Sequence, residues 1–443
     1  MNTNRLAVKP NLLSLLRFSF PTIVMMIFNS IYTMVDGIFV SNFVGADALS
    51  AINIVYPFMF LVIGIGVMLG TGGSAIIARK MGENDLISAR EDFSLLIITG
   101  LVISVIMQIS GFIFCTPLIE FLGSTQRLMP YCRNYLLYNL IGLPAFMLQM
   151  MFQSLFVTAG RPKLGMSVTI MAGTANILLD YIFVKELGIG IRGAAIATDI
   201  GYFIPAVIGL IVFCSKKNSL YFTRPKWQSS TIIRTCTNGS SEMVTNLACS
   251  VINLMFNLIT MRIAGETGVA AITIVLYSQF LFTAVFLGFS TGVAPVISYR
   301  YGENNTAELK KLFKTCMTII MFFSLVSVIF AFVGDNTVVS AFAKRGTEEY
   351  KMAIQGFPIF SVNYMFAGVS IFSSSMFTAL SNGKISALIS FVRSFLFIVV
   401  SLAVFPRLFN MNGVWISVPV AEIAGFILSI ICIIKNKNEY KYI

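Results

Sequence analysis

Long apolar segments alternate with short polar ones along the whole chain. Each apolar segment reaches at least the roughly 20 residues that an α-helix needs to cross a bilayer. The polar breaks predict twelve spans, at 14–39, 51–78, 93–116, 132–158, 164–184, 191–214, 235–261, 268–298, 311–333, 352–379, 385–405 and 411–434. The pattern therefore predicts an all-α integral membrane protein with twelve transmembrane helices.

The two halves of the chain resemble each other at a shift of 220 residues. The turn Gly82-Glu83-Asn84 recurs as Gly302-Glu303-Asn304, and Gly45 recurs as Gly265. Further matches are Thr71-Gly72 with Thr291-Gly292, Ala51-Ile52 with Ala271-Ile272, Thr158-Ala159 with Thr378-Ala379, and Gly193 with Gly413. Because the shift contains six spans, both halves enter the membrane from the same side. This predicts two pseudo-symmetric six-helix bundles around a central cleft.

The longest polar segment between spans divides the two halves. Residues 215–234 hold five basic residues and a proline. We therefore predict an N-terminal lobe at 1–214, a cytoplasmic linker at 215–234 and a C-terminal lobe at 235–443. Most of the 31 Lys and Arg fall on the side of the linker and the two chain ends. This bias predicts that both termini are cytoplasmic.

The amino-acid composition indicates a membrane protein and limits the classes of partner that it could bind. Hydrophobic residues make up 57% of the chain and charged residues 11%, well below the charge of a soluble domain. A net charge of +12 would suit nucleic acid, but basic loops between membrane spans explain it better. We expect the lipid bilayer as a partner and no nucleic acid. The seven cysteines lack metal-ligand spacing and are predicted to be packing residues, with a disulfide between Cys115 and Cys132 as the alternative.

Two glycine features are predicted to be structural. The segment 64–74, GIGVMLGTGGS, has no lysine at phosphate-loop spacing and predicts a close helix contact. The two Gly-Glu-Asn turns are expected to cap helices or to gate the cytoplasmic face.

Candidate chemistry begins at residues 172–184, AGTANILLDYIFV. Asn176 and Asp180 stand four residues apart, so a helix would place them on one face. A carboxylate at membrane depth is costly and by default marks an ion or proton pathway. A structural hydrogen bond to a neighbouring polar group is the alternative for Asp180, and an interfacial position near the end of the first span is a further one for Asp36. Asp199 is predicted to serve packing or hydrogen bonding.

Four polar residues of the first half correspond to apolar residues in the second half. At the 220-residue shift the correspondences are Asp36 with Phe256, Asn176 with Leu396, Asp180 with Val400, and Thr198 with Val418. Asp36, Asp180 and Thr198 all fall in the outer half of their predicted spans. The sequence therefore predicts one cation site, in the N-terminal lobe.

The ligand types at this predicted site suit two different coupling ions. Two carboxylates, an amide oxygen and a hydroxyl form the all-oxygen set that Na⁺ prefers. Two close acids can also share a proton, and the chain has no histidine to do so. Asn176 and Thr198 favour Na⁺, because a proton needs no such ligands, but both ions stay open.

Several of these segments together resemble the multidrug and toxic compound extrusion (MATE) transporters. The resemblance rests on residues 35–51 (VDGIFVSNFVGADALSA), the N-x-x-x-D helix, residues 190–202 (GIRGAAIATDIGY) and the parallel repeat. It implies a cation-coupled antiporter that exports amphiphilic, often cationic drugs or toxins and needs no cofactor beyond Na⁺ or H⁺. By motif position it also implies that Na⁺ is held by a set of five residues, Asp36, Asn176, Asp180, Thr198 and the Ala194 carbonyl.

The same resemblance implies substrate-binding residues in the C-terminal lobe. Glu242 matches the first residue of an acid pair that some relatives carry there, and Asn363 and Tyr364 stand where those relatives have an aspartate. Glu242 is the candidate for meeting a cationic drug, and a helix-capping role behind Asn238 is the alternative. Arg393 and Glu422 are predicted to form a mutual ion pair, with a substrate role left open.

Three rival functions fit the sequence less well. A lipid-linked precursor flippase of the same superfamily would need a cationic cavity and extra spans, and only Arg393 lies deep in a span. A membrane enzyme lacks any recognisable nucleophile–base motif or metal cluster. A channel would not need the two-lobed repeat. We expect a monomeric, multi-pass protein of the cell membrane.

Overall fold

The structure is a computed structural model that describes residues 5–340 and 342–442, except for the side chains of Ile38, Ser41 and Ala46. All regular elements in these ranges are helical, which confirms the predicted class. The helices are α1 (Leu12–Phe43), α2 (Ala46–Gly82), α3 (Leu86–Ile113), α4 (Cys115–Phe121), α5 (Met129–Ile141), α6 (Leu143–Thr158), α7 (Pro162–Asp180), α8 (Ile191–Cys214), α9 (Ser229–Gly302), α10 (Thr306–Val333), α11 (Asp335–Ser340), α12 (Glu348–Ser361), α13 (Tyr364–Ala379), α14 (Gly383–Phe391) and α15 (Phe397–Tyr440). Two π-helical segments, Tyr181–Glu186 and Val392–Leu396, follow α7 and α14.

The number of membrane crossings follows from helix length and from the breaks. Eight helices in the described part of the chain are long and apolar enough to span, and the bent pairs α5–α6 and α12–α13 bring the number to ten. Helix α9 has 74 residues and α15 has 44, and each contains one non-helical residue, Gly265 or Asn410. At ~1.5 Å per residue α9 would measure about 110 Å if straight, against ~30 Å of hydrocarbon. Dividing both long helices at these breaks gives the twelve predicted spans.

Positive backbone φ angles repeat with the same 220-residue shift as the sequence. The pairs are Gly45 (110°) with Gly265 (62°), Asn84 (63°) with Asn304 (55°), and Gly190 (70°) with Asn410 (51°). These positions lie at turns, where the chain needs a conformation that most residues avoid. The internal repeat is therefore present in the backbone conformation as well as in the amino-acid sequence.

The interior is divided into two hydrophobic clusters. One is built mainly from residues before 221 and the other mainly from residues after 247. Helix α1 contributes to both: Leu15 and Ile23 belong to the second cluster, whereas Val40 belongs to the first. The division agrees with two lobes. The lobe boundaries at 214 and 235 stay a prediction.

The segment between the lobes is attached to α3. The Arg90 guanidinium donates to the Ser219 carbonyl at 3.0 Å and stacks 4.2 Å from the Tyr221 ring centroid. The Thr223 amide donates to the Ser94 hydroxyl at 2.9 Å. Helix α9 already begins at Ser229, so the last part of the predicted linker is helical.

The lobes meet through glycines on α2 and α9. A Cβ atom at Gly72 would overlap the Thr235 carbonyl oxygen, and one at Gly239 would overlap the Met68 carbonyl oxygen. Further along, Gly302 is packed equally closely against the Arg79 carbonyl. The prediction that residues 64–74 form a close helix contact is confirmed, because only glycine permits this backbone approach.

Both chain ends lie at the same end of the bundle, which we call the termini end. The Arg300 guanidinium donates to the Val8 carbonyl at 3.0 Å, and Tyr442 packs 5.0 Å from the Phe313 ring. The Gly-Glu-Asn turns are also here, and their Glu83 and Glu303 cap the ends of α2 and α9, where the Glu83 amide donates to the Arg79 carbonyl at 2.9 Å and the Glu303 amide donates to the Tyr299 carbonyl at 3.0 Å. The expected capping is therefore observed. The glycine contacts between the lobes lie on the same side, so the backbones of α2 and α9 touch at the termini end.

Candidate functional site

Asn176 and Asp180 lie on one buried face of α7, directed at α8. Asp180 is 0% exposed and Asn176 is 3% exposed. The Asn176 amide donates to the Thr198 hydroxyl at 3.4 Å. Asp180 is the last α-helical residue before the π-helical segment Tyr181–Glu186. Such segments widen the helix and leave local carbonyls with altered partners, and they are frequent at functional sites.

Asp36 reaches the same place from α1. Its carboxyl group lies within hydrogen-bonding reach of the Asp180 carboxyl group. Both Asp180 oxygens and one Asp36 oxygen are buried and have no donor among the described residues. Two facing carboxylates are both acceptors, so neither can satisfy the other without a proton or a cation between them. The arrangement therefore needs one positive charge that the described side chains do not supply.

A small cavity inside the first lobe adjoins Asn176 and Thr198, and its lining includes neither Asp36 nor Asp180. It is lined from α1, α6, α7 and α8 by Tyr32, Gln149, Thr169, Ala172, Gly173, Asn176, Thr198, Gly201 and Tyr202. The Gln149 side-chain oxygen and the Asn176 side-chain oxygen are buried without a donor. The unpaired groups are all oxygens, which again suits a hard cation.

Two further residues of α8 have different relations to this cluster. Ala194 is buried one helical turn before Thr198, and its role as a carbonyl ligand stays a prediction. Asp199 accepts a hydrogen bond from the Gly142 amide at 3.1 Å, where α5 bends by 62° into α6. This is the hydrogen-bonding role that the sequence predicts for Asp199.

The counterpart positions in the second lobe are apolar, but the sequence assigns some of them incorrectly. Leu396 and Val400 are 40% and 49% exposed, so they face outward rather than matching Asn176 and Asp180. Leu396 is the last residue of the π-helical segment Val392–Leu396 and Val400 follows it, and the wider turn of this segment rotates the helix face. The buried positions beyond that segment include Ile398 and Leu402. Ile398 and Leu402 are apolar, and the buried polar residues of this stretch, Ser394 and Ser401, carry only hydroxyls. The acid and amide of α7 therefore have no carboxylate or amide equivalent there.

Glu242 lies in a cavity between the lobes. The cavity is lined by Thr71, Ser74, Ala75 and Ser154 from the first lobe and by Glu242, Thr291, Ala294, Ser375, Thr378 and Ala379 from the second. Glu242 is the only ionisable residue in that lining. The capping alternative for Glu242 is wrong, because α9 starts at Ser229, about 20 Å of helix earlier.

Asn363 and Tyr364 are not brought to the same cavity as Glu242. Both are 0% exposed and lie at the 53° bend between α12 and α13. The Asn363 amide donates to the Phe360 carbonyl at 2.6 Å, and the Tyr364 ring stacks on Phe282 at 4.5 Å. Asn363 Oδ1 and the Tyr364 hydroxyl are buried without a partner among the described residues. A role of the two residues in substrate binding stays a prediction.

The predicted pair of Arg393 and Glu422 is confirmed. The guanidinium and the carboxylate are 2.9 Å apart, and the side chains are 13% and 4% exposed. Arg393 belongs to the π-helical segment Val392–Leu396, and Glu422 lies on the last span of α15.

Some features of the site escape sequence reasoning. Tyr32 and Gln149 line the cavity beside Asn176, although Gln149 is a visible polar interruption in the apolar run of α6. The π-helical turns have no sequence signal that we can identify. All seven cysteines are free, and no cluster of three or more His, Cys, Asp or Glu exists within the described ranges.

One family model matches most of the chain. It is the model described as MatE, and it matches twice, at residues 21–182 and 242–403. The two matches fall one in each half, in agreement with the internal repeat.

Curated relatives match over nearly the full length of both chains. The multidrug export protein MepA of Staphylococcus saprophyticus is 22% identical over 418 residues, which are 92% of this chain and 90% of the relative. MepA of Staphylococcus haemolyticus is 22% identical over 440 residues, which are 96% of this chain and 94% of the relative.

Solved structures share the fold. A crystal structure of MATE in complex with MaL6 superimposes with a TM-score of 0.92 at 22% identity, covering 99% of this chain and 100% of the other. An outward-facing multidrug resistance MATE transporter of the MOP superfamily gives 0.87 at 23% identity, with 98% of each chain covered.

Proposed function

The chain belongs to the MATE family of multidrug export transporters, and from this premise we propose that it is a cation-coupled antiporter, in which Na⁺ or H⁺ entering at the Asp36–Asp180 pair drives the export of amphiphilic, often cationic compounds. One observation supports the coupling most directly: two buried carboxyl groups face each other with no positive partner. A site that lacks one positive charge binds a cation in one state and releases it in another.

Na⁺ is the coupling ion that the donor set favours. Asn176 and Thr198 add an amide oxygen and a hydroxyl beside the two acids, and the Asn176 oxygen has no donor among the described residues. A proton would need only the acids. The Ala194 carbonyl is a further proposed ligand.

The proposed cycle uses the two lobes as rigid halves. We infer that the cleft is closed at the termini end, where the backbones of α2 and α9 touch, and that this state opens toward the other end. With the termini in the cytoplasm, as the basic residues predict, this is the state in which the cation enters from outside and the drug leaves. Cation binding changes drug affinity, and the drug changes cation affinity by the same factor.

Glu242 is the proposed contact for a cationic substrate. It is the one ionisable group in an interlobe cavity otherwise lined by hydroxyls and small side chains. Both lobes line the cavity, so its shape must change when the lobes rock. We further propose that the protein acts as a monomer in the cell membrane.

Efflux from reconstituted vesicles tests the proposal. Vesicles loaded with a fluorescent organic cation are given an inward Na⁺ gradient, an inward proton gradient, or neither. Efflux is expected to depend on one of the gradients, because the acid pair must bind and release a cation in each cycle. Equal efflux under all three conditions would contradict coupling. Protein-free vesicles of the same lipid, loaded with the same fluorescent cation, provide the leak control.

Glu242→Gln is expected to weaken transport of cations selectively. Loss of a charged hydrogen-bonding partner costs about 1.5–3 kcal/mol, so the apparent affinity for an organic cation should fall roughly ten- to hundredfold. A neutral compound of similar shape serves as the internal control, and its transport should change little. Concentration-dependent efflux of the two compounds measures the difference. An equal loss for both would show that Glu242 acts structurally.

A further inference from the structure

The ion pair Arg393–Glu422 is an unusual feature of the second lobe. Both groups are largely buried in a membrane protein, where separated charges are costly. The pair uses only one oxygen of Glu422, and the other, Oε2, is buried without a donor among the described residues. The charge of the carboxylate is balanced by Arg393 alone, and its second oxygen has no donor from any other described residue.

The positions of the pair in the second lobe correspond to positions that line the cavity of the first lobe. Arg393 corresponds to Ala172, because each is the same number of residues from the start of its helix, which is Gly383 for Arg393 and Pro162 for Ala172. Counted in the same way from the turns at Gly190 and Asn410, Glu422 corresponds to Tyr202. Ala172 and Tyr202 both line the cavity beside Asn176. A guanidinium therefore lies in the second lobe where the first lobe has open space next to its cation site.

The surrounding backbone is shaped to hold this guanidinium. Arg393 lies in the π-helical segment Val392–Leu396, whose wider turn changes the direction of its side chain. Gly425 lies one turn after Glu422, and a Cβ atom there would come within 2.8 Å of the Arg393 Cγ atom. The stem of the arginine thus fits only because residue 425 has no side chain.

We propose that Arg393 is a tethered cation, which fills the second-lobe counterpart of the first-lobe cavity and prevents exchangeable cations from binding at Glu422. One lobe then exchanges its cation with solution, whereas the other carries a permanent one. This restricts coupling to the first lobe and limits the number of cations that enter per cycle. The inference takes the cation site of the proposed function as its comparison, but its test does not depend on that site.

The test removes the first-lobe acids and then the tethered cation. The background carries Asp36→Asn and Asp180→Asn, so the proposed exchangeable site is absent. Arg393→Gln is added to one protein, and Arg393→Gln with Glu422→Gln to a second. Binding of radioactive ²²Na⁺ to purified protein in detergent is counted, and infrared spectroscopy detects a newly protonated carboxyl group.

The Arg393→Gln protein is expected to gain one cation, either Na⁺ or a proton, relative to the background. The protein that carries both Arg393→Gln and Glu422→Gln should gain no cation. A folded Arg393→Gln protein that gains neither ion overturns the proposal. So does a gain that persists without Glu422, because Glu242 is the other carboxylate within electrostatic reach of Arg393.

The thermal stability of the Arg393→Gln protein provides a second test. If this protein unfolds where the protein with both Arg393→Gln and Glu422→Gln does not, thermal unfolding is repeated with Na⁺, Li⁺ or guanidinium at millimolar concentration. Recovery by an added cation supports the proposal, and lack of recovery by all three overturns it. Failure of the proposed function would appear instead as equal Na⁺ and proton binding by the wild type and the Asp36→Asn/Asp180→Asn background.

Discussion

Asp180→Asn is expected to abolish gradient-driven efflux while leaving the fold intact. The amide keeps the shape of the side chain, and it can donate to Asp36, whose carboxylate then has a partner without any added cation. The charge deficit that recruits the coupling ion is removed. Each coupling cation that enters is worth ~2.3 kcal/mol per 100 mV, or roughly a fiftyfold concentration ratio, and the variant should lose this contribution entirely.

Vesicle efflux under the effective gradient, together with ²²Na⁺ and proton binding, measures this loss. Asp199→Asn is the matched control, because Asp199 is a second buried acid of the same lobe that accepts from the Gly142 amide. An asparagine oxygen can accept that bond equally well, so coupled transport should persist. Gradient dependence retained in Asp180→Asn would remove the assignment of the cation site to this acid pair.

Gly72→Ala is expected to open the termini end of the cleft and to stop the transport cycle. The new Cβ would overlap the Thr235 carbonyl oxygen and come within 2.8 Å of the Gly239 nitrogen. These are backbone atoms of the other lobe, so they cannot give way by a side-chain rotation. Overpacking of this kind costs about 1–3 kcal/mol, which would reduce the population of the closed state roughly five- to hundredfold.

Reactivity of Cys236 reports the opening. This residue of α9 is partly buried against the core of the first lobe and lies one residue from Thr235. In a background without the other cysteines, a maleimide should label it slowly in the wild type and at least severalfold faster in Gly72→Ala. Gly165→Ala is the control, since its Cβ would meet Phe156 at an ordinary 3.4 Å within one lobe. Equal labelling rates in the two variants would contradict the gating role.

Several features of the fold were predictable because they depend on local chemistry. Apolar segments of bilayer length predict spans, since no other secondary structure but a closed barrel satisfies the backbone in hydrocarbon. The turns are visible for a similar reason: Gly45 and Gly265 adopt positive φ angles, which glycine tolerates best. The bends between α5 and α6 and between α12 and α13 were not predicted. At the first of them Gly142 and Pro144 are a local signal for a break, because proline cannot continue the helix hydrogen bonds of the preceding turn.

The errors arose where helix geometry departs from the regular α-helix. Leu396 and Val400 were matched to Asn176 and Asp180 by counting residues, but the π-helical segment turns them outward. The capping alternative for Glu242 failed because α9 begins earlier than the apolar pattern suggests. Periodicity marks the face of a helix only as long as the number of residues per turn stays constant.

The sequence by itself determined the membrane class, the twelve spans, the parallel repeat and the placement of Asp36, Asn176 and Asp180 in apolar segments of the first half. It could do so because hydrophobic length, turn residues and charge are properties of single segments. Only the tertiary structure decided that Asp36 meets Asp180 and that Glu242 lines a cavity between the lobes. Those facts depend on how helices distant in sequence rotate and pack against one another, and no single segment encodes that relation.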